Sequence, residues 1–314
     1  MAVLALSACS PSSLPTLTGF AAVRDQAART ESAASDRATQ LAEVATDCAS
    51  CSAALRAVAA ASDERLEALG GLWDPWGGTP PEGASAPAAV SEAPTDVSAF
   101  VAWLARTATR DLEIAADTNR TSADEARTLS AAALGRYASA VTIAQAYGID
   151  LDAGLDQALL VNDRVNAASR QGVQTWSIDL FDAPGISASF APSGKDLASS
   201  QELSSAVATW DCTASTLPQA QVSAGTLSDA YAVSGELLTR ADTALRAGAA
   251  DTRTPRCTLG FLDAPSLASN LLAADSAMLA SNSSDVRSAG ASAALADIQQ
   301  WAPRTSLPAL IGTR

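Results

Sequence analysis

The chain has 314 residues, 34 acidic and 20 basic, no histidine, and a formal charge of −14. That balance argues against nucleic acid, whose phosphates need clustered Lys and Arg, and the lack of His removes the usual general base and the commonest metal ligand. Alanine fills 73 positions while aromatics make up only 4%, a composition that points to long helices whose axes approach to about 8 Å.

The first residues run through small and apolar side chains to Leu6-Ser7-Ala8-Cys9, followed by Ser10-Pro11-Ser12-Ser13. This stretch resembles the bacterial lipobox, in which a signal peptidase cuts before the cysteine. The resemblance implies a diacylglyceryl thioether on Cys9 and a polar tether to Thr18. A full signal carries a basic segment and an apolar stretch of ~7–15 residues. Only eight residues precede Cys9 and none is basic, so either the start lies upstream or the chain is trimmed.

In chain order, helical spacing predicts a helix over about Thr18–Thr46 and another over Asp47–Leu69, stopped by Gly70-Gly71. Residues 74–94, with Pro75, Pro80, Pro81, Pro87 and Pro94, read as a flexible connection. A helix starts at Thr95 or Asp96 and runs to Thr118. Ser122-Ala-Asp-Glu125 fits a capping box that opens the next, which Gly148 ends. Asp152 caps a helix through Val165, and Val173–Phe181 is the only β-like stretch. Further helices are expected near Asp196–Thr216, Thr226–Gly248, Pro265–Ser281 and Asp285–Trp301, with Pro265 near N1.

The layout is therefore residues 1–8 as a signal-peptide remnant, 9–18 as lipidated tether, 19–72 as an N-terminal helical hairpin and 73–94 as a Pro/Gly/Ala-rich linker. Residues 95–171 form central helices, 172–194 an irregular connection, 195–302 a C-terminal helical bundle and 303–314 a tail. The fold class is all-α, a multi-helix antiparallel bundle or bundles. No run of 18 apolar residues follows Cys9, so no transmembrane helix is expected.

Besides Cys9 there are four cysteines, Cys48, Cys51, Cys212 and Cys257. In an exported chain they are expected to form two disulfides. Spacing favours Cys48–Cys51 and Cys212–Cys257, the latter worth roughly 3–4 kcal/mol on the chain-entropy argument; cross-pairing between the halves is the alternative. Cys48-Ala-Ser-Cys51 is also a C-x-x-C. A redox role needs a low-pKa thiolate at a helix N-terminus on a strand–helix–strand scaffold; Asp47 would cap such a helix, but no such scaffold surrounds it. A zinc site is disfavoured because Cys212 and Cys257 do not make a second C-x-x-C.

Other chemistry is sparse. The helix-spaced carboxylates Glu43/Asp47, Asp63/Glu67, Glu113/Asp117 and Asp152/Asp156 are read as solvated acidic faces rather than cation sites. Asp150–Asp156 lacks the Gly and Glu of a calcium loop. A Ser–His–Asp triad is excluded without His, and Lys195, the only lysine, lacks S-x-x-K spacing. Trp103 and Trp210 are expected in the core. Trp73 and Trp76 read as a plug at a helix end, or else as an anchor for a partner or glycan. Tyr137, Tyr147 and Tyr231 are expected in the core. No catalytic residue, metal site or cofactor is assigned.

The C-terminal ~110 residues resemble a group of actinobacterial exported proteins with a ferritin-like four-helix bundle. The residues that carry this are Leu227-Ser-Asp-Ala-Tyr231-Ala-Val-Ser-Gly235, Trp301-Ala-Pro303 and Leu307-Pro308-Ala-Leu310-Ile-Gly312. The resemblance implies a ferritin-like bundle in the C-terminal part. It implies no activity, because di-iron sites of that fold need Glu-x-x-His. The expected role is a non-enzymatic cell-envelope lipoprotein, held on the extracytoplasmic face of the membrane by its N-terminal lipid. Its helical body would interact with an envelope protein partner or act as a scaffold. A thiol-redox protein using Cys48 and Cys51 is the alternative, and a small-ligand or cation-binding bundle a third.

Overall fold

A computed structural model describes residues 17–78, 93–151, 190, 192, 194–224, 229–257 and 263–313. The described residues form eight α-helices and no strand, so the protein is all-α: α1 Gly19–Val44, α2 Ala49–Ala68, α3 Val97–Ala116, α4 Ala123–Tyr147, α5 Gln201–Ala224, α6 Ala230–Arg246, α7 Ala264–Met278 and α8 Ser284–Trp301. A 3-10 turn, Leu197–Ser199, precedes α5. Cys9, the expected helix 152–165, the β-like stretch 173–181 and Trp176 lie outside the described residues, as does most of the 172–194 connection.

Helix ends follow from local chemistry. Asp96 accepts a hydrogen bond from the Ala99 N–H at the start of α3. Ser122 and Glu125 close the expected capping box at α4. Asp263 caps α7, with Pro265 in its first turn. Gly148 ends α4 in the left-handed region at φ 64°, where only glycine is unstrained. At α2 the cap is Cys48 rather than Asp47: its Sγ accepts from the Cys51 N–H at 3.2 Å.

The spacing predicts a helix near Asp196–Thr216 that ends before Pro218, yet α5 continues to Ala224. Pro218 has no N–H for the Ala214 carbonyl. Ser234 Oγ of α6 donates to that carbonyl instead, at 2.6 Å, so the helix passes its proline without orphaning a buried acceptor.

The helices pack as hairpins, α1 on α2, α3 on α4, α5 on α6 and α7 on α8. The first two hairpins join through α2 and α4 into one four-helix bundle, the last two through α5 and α7 into another. Two main apolar cores result, the first of which extends to Leu272, Leu295 and Ile298 of α7 and α8. Leu55, Phe100, Leu104, Leu112 and Leu134 are among the side chains filling the first; Leu203, Trp210, Leu237, Leu271 and Trp301 help to fill the second. The scarcity of large side chains makes close approach decisive. At the α7–α8 contact a Cβ on Gly290 would come within 2.8 Å of the Asp275 carbonyl oxygen.

α4 is buried around most of its circumference because α8 of the second bundle packs against it and α3. Three devices seal that joint. Arg287 of α8, fully buried, donates to the Ala115 and Thr121 carbonyls at the end of α3, at 3.0 and 3.1 Å, satisfying acceptors a helix C-terminus leaves free. Gln299 Nε2 donates to Tyr137 Oη at 2.7 Å. The tail returns over α4, where the Ile311 N–H donates to the Ala131 carbonyl at 3.2 Å.

Gly135 makes room for that tail: a Cβ there would fall on the Ala309 carbonyl. Gly135→Ala should therefore lift residues 303–313 and cost about 1–3 kcal/mol. Urea unfolding, together with faster proteolysis of the tail, checks this.

Candidate functional site

The charged side chains inside the bundles are the strongest candidates for chemistry. In the first bundle each helix contributes one: Glu31 from α1, Arg65 from α2, Asp111 from α3 and Arg136 from α4, each at most 2% exposed. Glu31 bridges both arginines, its Oε2 2.9 Å from Arg65 Nε and its Oε1 2.8 Å from Arg136 Nε. Arg136 Nη1 reaches Asp111 Oδ2 at 2.8 Å. Arg65 also donates to Ser62 and Ser139, and Arg110 binds Asp111 Oδ1 from the rim. At the centre two carboxylates face two guanidiniums, so the charges balance.

The pKa directions follow from that geometry. Burial depresses Arg65, and its one carboxylate partner, Glu31, does not fully compensate. For Arg136 the same burial is outweighed by Glu31 and Asp111 together, and its pKa stands above the ordinary value. Both remain cations.

The second bundle repeats the plan with a different balance. Trp210 of α5, Arg240 of α6, Asp275 of α7 and Asp297 of α8 meet at its centre. Trp210 Nε1 donates to Asp275 Oδ1 at 2.9 Å and Arg240 Nη2 to Asp297 Oδ1 at 2.7 Å. The Arg240 guanidinium lies over the Trp210 ring, 5.4 Å from its centroid, with Nη1 3.9 Å from Asp275 Oδ2. Here a single cation serves two carboxyl groups. Burial and the neighbouring Asp297 push Asp275 well above the ordinary carboxylate range, against the pull of Arg240.

Apart from Trp210, expected in the core, none of these residues was singled out in the sequence. Their signal is a lone charge inside an apolar run, as in Ala133-Leu134-Gly135-Arg136-Tyr137 or Leu295-Ala296-Asp297-Ile298.

Of the residues singled out, Cys48 and Cys51 stand at disulfide distance, as do Cys212 and Cys257, with Cα atoms 5.2 Å apart in both pairs. Cys51 is buried and Cys48 half-buried. Trp103 and Trp210 are in the core, and Tyr137 is buried with its hydroxyl bonded to Gln299. Tyr231, expected in the core, is instead 78% exposed: α6 buries Ala230, Val233, Leu237 and Ala241, and Tyr231 sits to one side of that stripe.

The loop after α2 folds onto α1, where the Trp73 N–H donates to Asp25 Oδ1 at 2.9 Å and Arg29 to the Trp73 carbonyl. Both Trp73 and Trp76 are half-buried. Glu43, Asp47, Asp63 and Glu67 are exposed, Glu113 and Asp117 half-buried, and Asp152 and Asp156 lie outside the described residues. Among the described residues no group of three or more His, Cys, Asp or Glu side chains is placed to hold a metal, and no helix is long and apolar enough to cross a membrane. A cleft of about 240 Å³ opens beside Phe20, Arg24, Leu69, Asp124 and Glu125.

No family model matches the chain, and comparison with curated proteins and with solved structures finds no match either.

The first cluster predicts a large effect from a small change. Glu31→Gln keeps the shape but leaves Arg65 buried without a carboxylate and Arg136 with Asp111 alone. Unfolding in urea should show a loss of about 3–5 kcal/mol.

Proposed function

We propose that the protein is a lipid-anchored, non-enzymatic component of a bacterial cell envelope, whose helical body serves as an interaction or scaffolding module. The observation that carries this reading is the segment Leu6-Ser7-Ala8-Cys9 with its Ser/Pro/Thr tether, which leads into α1 at Gly19. Lipid on Cys9 would place the start of α1 and the end of α2 at the membrane-proximal end. A body of net charge −14 is repelled by anionic headgroups, so anchoring rests on the acyl chains. Cysteine pairs at disulfide distance suit an oxidising compartment. The ferritin-like resemblance of the C-terminal part is consistent with a four-helix body; the central positions of both bundles carry arginines paired with carboxylates, which suits a structural rather than an oxidative centre.

Expressed in a bacterial host, the full chain should partition into detergent with a lipid mass on Cys9, and Cys9→Ser should move it to the aqueous phase. An unmodified Cys9 thiol in the native protein overturns the reading.

One observation favours the thiol-redox alternative. Cys48 stands at the N-cap of α2, where the helix dipole favours a thiolate, with its partner Cys51 buried behind it. After reduction Cys48 should alkylate well before Cys51, as peptide mass mapping would show. Turnover of a disulfide substrate by the wild type, lost in Cys48→Ser, would establish the redox role; no turnover leaves the pair structural.

A further inference from the structure

We infer that the α5–α8 bundle is built around one shared proton, held between the carboxyl groups of Asp275 and Asp297, and that this bundle loosens when the proton is shed in more alkaline solution while α1–α4 does not.

The geometry points there atom by atom. Asp275 is wholly buried and Asp297 is 2% exposed. One oxygen of each is satisfied, Asp275 Oδ1 by the Trp210 indole and Asp297 Oδ1 by Arg240. The other two, Asp275 Oδ2 and Asp297 Oδ2, are buried with no donor. Both carboxyl groups stand beside the same guanidinium, Asp297 Oδ1 2.7 Å from Arg240 Nη2 and Asp275 Oδ2 3.9 Å from Arg240 Nη1. Two carboxylates cannot bond to each other, but a carboxylic acid donates to a carboxylate, and like charges at such range favour holding one proton between them. A proton here supplies a donor for the orphaned oxygens and brings the cluster to neutrality, matching the two-against-two balance around Glu31 and Arg136.

Among the described residues, the charges on the helices packed here are otherwise engaged or out of hydrogen-bonding distance. Arg240 of α6, with Glu236 one turn before it, hydrogen-bonds Asp297 through Nη2, while its Nη1, 3.9 Å from Asp275 Oδ2, stands beyond hydrogen-bonding distance of it. The nearest charge on α5, Asp211, lies toward Arg253. On α4, which also packs on α7, the buried cation Arg136 is held by Glu31 and Asp111, and Asp124 and Arg127 pair with each other on the surface. On α8, Arg287 is spent on backbone carbonyls.

The direction of the pH effect follows. Asp275 titrates higher in the folded chain than the unfolded value of about 3.9. Its contribution is fully present below that unfolded value and is lost as pH rises through the folded one. Within the window the folding equilibrium of this bundle should weaken by up to about tenfold per pH unit, the effect of one proton.

Hydrogen exchange of the full chain from about pH 5 to pH 9, corrected for intrinsic exchange rates, should show that slope in peptides of α5–α8 and not in those of α1–α4. In Asp275→Asn the amide carbonyl accepts from Trp210 and the amide N–H donates to Asp297, so the bundle should persist with the slope abolished. The infrared spectrum of the wild type at neutral pH should carry a band from a buried protonated carboxyl, and that measurement stands even if the variant fails to fold. Equal slopes in wild type and Asp275→Asn, or a wild-type spectrum without the band, would overturn the inference.

Discussion

Four helices each place one side chain in the buried cluster around Glu31, and the architecture of the first bundle depends on that meeting. Removing an ion from water costs several kcal/mol, recovered only when partners and hydrogen bonds are in place. A slip of one turn by any of α1–α4 would bury a charge alone. Alanine-lined faces are nearly uniform, so their shapes discriminate poorly between registers; Glu31, Arg65, Asp111 and Arg136 supply the discrimination that small side chains lack. The arginines act as internal counter-ions, each presenting a fixed fork of donors.

The second bundle uses the same arrangement with an aromatic ring in place of one charge. Trp210 takes the position on α5, binding Asp275 through its indole N–H and carrying the Arg240 guanidinium on its face. The two centres therefore differ in charge balance although both join four helices. That difference leaves the second centre, and not the first, with a carboxyl group in excess of its guanidiniums.

The bundles are joined by a shared apolar face, where Leu295 and Ile298 of α8 pack into the core of the first bundle, and by the satisfaction of backbone groups. Arg287 completes the C-terminus of α3, and the tail beyond α8 pairs its backbone with α4 at Ala131. Glycine at 135 lets the tail carbonyl approach the helix closely. Ser234 plays a similar part within the second bundle by taking the carbonyl that Pro218 leaves open.

Much of the helical layout was legible without coordinates, because helix ends are written in neighbouring residues. Ser122 with Glu125, Asp96, Asp263 with Pro265, and Gly148 act within a few positions of themselves, and each stops or starts a helix where local chemistry requires. The composition likewise implied close-packed helices, and the spacing of Cys212 and Cys257 made their proximity plausible. The buried clusters were not legible, since Glu31 and Arg136 are 105 positions apart and an isolated charge in an apolar run reads the same whether it meets a partner or bends to solvent. The exposure of Tyr231 and the passage of α5 through Pro218 were hidden for the same reason. Local propensity depends on residues a turn away, whereas the fate of a charge, a ring or an unpaired carbonyl depends on what another helix brings to it.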